Sequence, residues 1–170
     1  MKKIILCSFI LLTGLYSFSQ RVNKIITDTK TQKPILYGKC NLKGLQTGEF
    51  GEIYRMEYKY YAPDSNILKQ IKPQLKNISF KIVLGSWCGD SREQIPRFIK
   101  VLDLSGYNTK KVKFTALDHY FKLEGFDNEK FEIKKLPTII VYRNKKEIGR
   151  IIETPVDTPE KDLLNILKNK

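Results

Sequence analysis

From Phe80 to the end of the chain, strand-like and helix-like patterns alternate, and no other feature restricts the possible folds as much. Phe80-Lys81-Ile82-Val83-Leu84 reads as a buried strand. Residues 89–104 read as a helix with Ile95, Phe98, Ile99 and Leu102 on one face and Pro96 as a source of a kink. A second strand follows over 112–117, then an irregular connection over 120–133. Two more strands, 138–142 and 147–152, are joined by a tight turn at Asn144-Lys145. The last helix takes Asp157 or Thr158 as its cap, with Pro159 in its first turn and Glu160 near its positive end. The expected class is α/β, with helices flanking a central mixed sheet.

Upstream of this pattern the chain reads as an extension. Residues 20–46 are polar, with a short β-capable stretch at 35–37. Phe50, Ile53, Tyr54, Glu57, Tyr58 and Tyr61 then recur at helical spacing and stop before Pro63. Asp64-Ser65 can cap a second helix that Pro73 limits. The first 19 residues have the layout of a signal peptide: Lys2-Lys3, an apolar run from Ile4 to Tyr16, and small polar residues before Gln20. That run is short for a transmembrane helix, and Leu6 is not the small residue that lipidation of Cys7 would want before it. The expected organisation is a signal peptide over 1–19, an N-terminal helical extension over 20–66 and one domain over 67–170.

The leader implies export to an oxidising compartment such as the periplasm, with no membrane span once the leader is gone. Loss of the leader leaves Cys40 and Cys88, either paired or free. It also takes Lys+Arg from 31 to 29 against 18 acids, a balance of +11. Such an excess favours acidic partners or an anionic membrane surface. The basic residues are scattered and not interleaved with aromatics, so the expectation is a solvated basic surface and no nucleic-acid binding. One histidine, His119, and two separated cysteines are too sparse for a metal site, and no cofactor is expected.

The chemistry concentrates at Trp87-Cys88-Gly89-Asp90-Ser91, where the first strand gives way to the helix. A thiol at a helix N-terminus faces unpaired backbone N–H groups and the positive end of the helix dipole, and both favour thiolate. Cys88 is therefore a candidate nucleophile, although a free cysteine can equally be a packing residue.

The strand, the Trp-Cys opening of a kinked helix, the hairpin and the closing helix together resemble the thioredoxin fold over about residues 67 to 170. Trp87-Cys88-Gly89 matches the start of the thioredoxin W-C-G-P-C site, and Pro96, eight residues after Cys88, matches the helix-kinking proline. Leu136-Pro137-Thr138 matches the segment that holds the family's cis-proline beside the nucleophilic sulfur. W-C-G-D-S together with the ending from Glu147 to Pro155 resembles an exported bacterial group with a single active-site thiol. The resemblance implies that Cys88, Ser91, Trp87 and Pro137 form the reactive groove.

The departures restrict the chemistry. Ser91 stands where the family has its second cysteine, and a hydroxyl cannot expel a mixed disulfide. Asp90 replaces the family's proline, either opposing a thiolate or, as the favoured reading, capping the helix. Ile82 takes the place of a buried Asp that assists proton transfer. Glu153 falls where the family often has glycine, and either supplies a base or rims the groove. His119 is expected to be exposed in a polar loop, and Cys40 is an accessory candidate only if the extension crosses the site.

Three functions fit. The first is thiol–disulfide exchange with protein thiols or disulfides, as an oxidoreductase or isomerase that forms mixed disulfides through Cys88. The second is a redox-inactive peptide- or protein-binding module on the same fold. The third is exchange with a low-molecular-weight thiol.

Overall fold

The computed structural model describes residues 22–169, so the signal-peptide reading and Cys7 lie outside the described residues. In chain order the elements are β1 (Ile25–Thr27), β2 (Pro34–Leu36), β3 (Gly38–Cys40), α1 (Leu42–Leu45), α2 (Gly48–Tyr60), α3 (Ser65–Ile71), β4 (Ile78–Leu84), α4 (Gly89–Leu104), β5 (Lys113–Ala116), β6 (Thr138–Arg143), β7 (Lys146–Ile152) and α5 (Pro159–Lys168). Single 3-10 turns at Lys72–Gln74 and Thr109–Lys111 lead into β4 and β5.

The five-stranded sheet runs β3-β5-β4-β6-β7. β4 and β5 are parallel and joined through α4, whereas β6 is antiparallel to both β4 and β7. Parallel pairing requires a crossover, which α4 supplies, and antiparallel pairing of β6 with β7 needs only a two-residue turn. That turn is Asn144-Lys145, with φ of 50° and 69°, the left-handed pair that a tight hairpin requires. This β-α-β unit, hairpin and closing helix make a thioredoxin-like α/β fold, as the resemblance implies.

Alternation along β4 decides which side each residue faces. Ile78, Phe80, Ile82 and Leu84 join the large core with Ile95, Phe98, Ile99 and Leu102 of α4. Val83 faces the other way, into a smaller cluster with Leu117, Ile133, Leu136 and Ile140. Phe80 meets Phe98 and Tyr107 edge to face at 5.6 and 4.9 Å. Burying a side chain of this size contributes roughly 1.5–3 kcal/mol. Pro96 lies inside α4 and is itself buried, so the backbone hydrogen bond it cannot donate is lost in the part of the helix held most firmly by packing.

The extension is more than helical, and it is built into the same core. β3 forms one edge of the sheet, antiparallel to β5, while β1 and β2 make a separate hairpin. Phe50 and Tyr54 of α2 are buried in the large core. Two ion pairs fasten α2 to α4, Arg92 to Glu49 at 2.9 Å and Arg97 to Glu57 at 2.8 Å. Glu160 of α5 is buried and accepts hydrogen bonds from the Tyr61 hydroxyl at 2.6 Å and the Asp64 amide at 3.0 Å. Burial and this carboxylate push the Tyr61 phenol upward. Asp64 caps α3 through the Asn66 amide, and the Thr158 hydroxyl caps α5 at Lys161 with Pro159 in the first turn.

Candidate functional site

The candidate site forms where β4 ends. Gly85, Ser86 and Trp87 turn the chain, the Cys88 amide donates to the Gly85 carbonyl at 3.0 Å, and Cys88 becomes the N-cap residue of α4. Gly85 is needed for contact: a Cβ there would meet the Trp87 ring at 2.6 Å. The Cys88 thiol is half-buried and donates to the Leu136 carbonyl at 3.4 Å. The Leu136-Pro137 bond is cis, as the resemblance implies, so the Cys88 thiol and the Pro137 segment are neighbours in space although far apart in sequence. Pro137 leads directly into β6, and its carbonyl accepts from the Glu153 amide at 2.7 Å.

Glu153 has φ of 62°, the left-handed conformation that favours glycine. Its carboxylate pairs with Lys135 at 2.5 Å on an exposed part of the rim. That hydrogen bond and charge hold the Lys135 ammonium above its ordinary value.

Trp87 lies beside Cys88 against the smaller cluster, and its indole N–H donates to the Leu117 carbonyl at 3.0 Å. His119 corrects the expectation of an exposed loop histidine. Its ring stacks on Trp87 with centroids 3.9 Å apart, and its Nδ1 is 2.9 Å from Oδ2 of Asp28. Asp28, in the turn of the β1–β2 hairpin, is buried and also accepts from the amide and hydroxyl of Thr31 at 2.8 and 2.7 Å. Burial pushes its carboxyl up, but the Thr31 hydroxyl and His119 outweigh that and hold it below the ordinary carboxylate value. A further tie runs from the Leu36 amide to the Ser86 hydroxyl at 2.9 Å. The extension therefore supports the wall of the site through Trp87 and Ser86.

Three expected roles change. Ser91 is fully buried, and its hydroxyl accepts from the Gly85 amide at 3.3 Å, bracing the turn. Asp90 sits in the first turn of α4 but makes no capping hydrogen bond, because the cap position belongs to Cys88. There it acts only through its charge near the helix end. Cys40 and Cys88 are both free, with Cys40 buried in the large core and Cys88 against the smaller one. Burial pushes the Cys40 thiol up to about 12, so as folded it is a packing residue. Ile82 is fully buried among apolar neighbours, and the described residues place no carboxylate in its stead.

Sequence reasoning did not single out Asp28 or the Leu136 carbonyl. Nothing local marks either: Asp28 is one turn residue of a polar stretch, and a carbonyl has no sequence signature. Among the described residues no cluster of histidine, cysteine and carboxylate groups could hold a metal ion.

No protein-family model and no curated protein matches the sequence. Among solved structures, a protein of unknown function from Pseudomonas aeruginosa superposes with a TM-score of 0.55 at 9% identity, covering 76% of this chain and 90% of that one. An HIV epitope scaffold gives 0.50 at 12% identity, with 74% and 86% covered. Thioredoxin from Fasciola hepatica gives 0.38 at 19% identity, with 62% and 93% covered, an overlap too loose to add to what the topology shows. These likenesses concern the fold alone.

Proposed function

We propose that this chain is an exported thioredoxin-like protein of the periplasm that exchanges disulfides through Cys88 alone. The observation that carries the reading is the half-buried Cys88 thiol at the start of α4, 3.4 Å from the carbonyl of the residue before cis-Pro137. Free backbone N–H groups at the start of the helix favour the negative charge that the exchange step places there. The Cys88 thiolate attacks one sulfur of a substrate disulfide, a Cys88–substrate S–S bond forms, and the substrate's own S–S bond breaks. The released sulfur leaves as a thiolate and takes a proton from solvent. A thiol of the substrate or of an external molecule then attacks the mixed disulfide and restores Cys88, so the protein undergoes no net oxidation. The groove edge at Pro137 and the wall at Trp87 are suited to hold the polypeptide during this cycle. The basic balance of the chain suits an acidic partner surface.

A second reading, a redox-inactive peptide-binding module, is favoured by the Ser91 hydroxyl being committed to the Gly85 amide and by the burial of Cys40. One experiment separates the two. The leaderless chain is incubated with a scrambled disulfide protein, quenched with acid and run without reductant, beside its Cys88→Ala variant. A covalent adduct in the parent that is absent from the variant supports exchange. No adduct in the parent, with peptide affinity that survives the substitution, overturns it in favour of the binding module.

A further inference from the structure

The sheet face opposite the helices is covered unevenly. At the Cys88 end, Phe121, Leu123, Phe126 and Phe131 from the connection between β5 and β6 pack over it. Towards the other end the face is open and forms the floor of a cleft of about 860 Å³, a size typical of small-molecule sites.

Lysines that are scattered in the sequence meet there. Lys39 comes from β3, Lys81 from β4, Lys113 from β5, Lys110 and Lys111 from the turn before β5, and Lys145 from the β6–β7 turn. Glu124 is the one acid in the lining, and among the described residues none of the six lysines takes part in an ion pair. Leu123 and Phe126 make an apolar wall, with Tyr142 at the edge of the floor.

Lys81 is the most informative of the six. Its ammonium lies 4.7 Å from the Phe126 ring centroid and 3.3 Å from that of Phe131, two rings that are themselves stacked at 5.1 Å. Partial burial and the charge of Lys113 push this ammonium down to about 8. A cation held half out of water, beside like charges and without a carboxylate partner, lowers its energy when an anion arrives.

We propose that this cleft binds a small amphipathic anion, with its carboxylate or phosphate between Lys81 and Lys113 and its apolar body against Phe126 and Leu123. A polypeptide fits less well, because β5, β4 and β6 are paired on both sides in the sheet, and at the edge strand β3 the Lys39 carbonyl already accepts from the Asn23 amide at 2.9 Å. The site is separate from the thiol and does not rest on exchange chemistry.

Calorimetric titration of the leaderless chain at low ionic strength tests the proposal with four probes: octanoate, inorganic phosphate, 1-octanol and a hexaglutamate peptide. Octanoate is expected to bind one to one, at least about tenfold more tightly than phosphate or octanol, since it alone satisfies both the lysines and the apolar wall. Lys81→Gln and Lys113→Gln are each expected to weaken octanoate about fivefold or more, while Lys161→Gln, remote from the cleft, leaves it unchanged. Lys113 is exposed, so its variant keeps the test valid if the Lys81 variant folds poorly. Cys88→Ala is expected to bind octanoate as the parent does, which keeps failure here distinct from failure of the exchange reading. No saturable octanoate binding, equal binding of phosphate, or tighter binding of hexaglutamate overturns the proposal, the last in favour of an acidic polypeptide.

Discussion

Replacing Ser91 with cysteine puts a thiol at the position where a dithiol exchanger carries its second cysteine. The hydroxyl is fully buried and accepts from the Gly85 amide at 3.3 Å. Sulfur is a poorer acceptor, so the variant gives up part of a bond worth about 0.5–1.5 kcal/mol net. A loss of about 1 kcal/mol lowers the midpoint of thermal unfolding by about 3 °C in a chain of this size. The chemical effect is far larger. In the parent, a mixed disulfide on Cys88 waits for an external thiol, whereas the introduced thiol acts at an effective concentration of at least about 1 mM. With external thiol at about 10 μM, the adduct breaks down at least about 100-fold faster. Ellman's reagent reads this directly. The parent releases one equivalent of thionitrobenzoate from Cys88 and keeps the other as a stable adduct, while Ser91→Cys releases two as its internal disulfide closes. A variant that folds, releases one equivalent and keeps a long-lived adduct refutes the argument, because residue 91 would then be unable to reach the sulfur.

Four further outcomes are expected. Gly85→Ala sets a Cβ against the rigid Trp87 ring at 2.6 Å, so we expect a loss of about 1–3 kcal/mol in chemical denaturation together with an altered tryptophan emission; an unchanged midpoint contradicts the contact. Glu153→Gly removes a left-handed backbone cost of about 1–2 kcal/mol and an exposed ion pair worth about 0–1 kcal/mol, while adding unfolded-state entropy. Stability should change by less than about 1 kcal/mol, and a loss above about 2 kcal/mol would show that Glu153 does more than rim the groove. Against burial, the Thr31 hydroxyl and His119 hold the Asp28 carboxyl below its ordinary value in the folded chain, so its stabilising contribution is complete above the ordinary carboxylate range and fades as pH falls through the lower native value. The melting difference between the parent and Asp28→Asn should therefore shrink as pH falls below the ordinary carboxylate range; a difference independent of pH excludes the carboxylate charge as its source. Brief alkylation of the folded chain from Gln20 onward at neutral pH should label Cys88 and spare Cys40, and mass spectrometry showing equal labelling would contradict the burial of Cys40.

The sequence by itself determined the parts whose signals are local. The alternating faces of β4, the Asn144-Lys145 turn, the Thr158 cap and the Cys88 position at a helix start are all set by neighbours within a few residues. The cis bond before Pro137 came from family resemblance, because a local preference for cis at proline is too slight to specify it. Tertiary structure alone decided the rest. The polar stretch that reads as an entry segment adds β3 to the sheet edge, because the backbone groups of β5 there need partners. Asp28 meets His119 only because the β1–β2 hairpin folds back over the turn after β4, and His119 is sheltered only because the Trp87 ring lies beneath it. Ser91 braces Gly85 instead of facing solvent, and six dispersed lysines surround one cleft because three strands and two turns converge on the open sheet face. Helix and turn signals extend over a few residues, whereas such encounters depend on which strands pair, and only the folded chain sets that pairing.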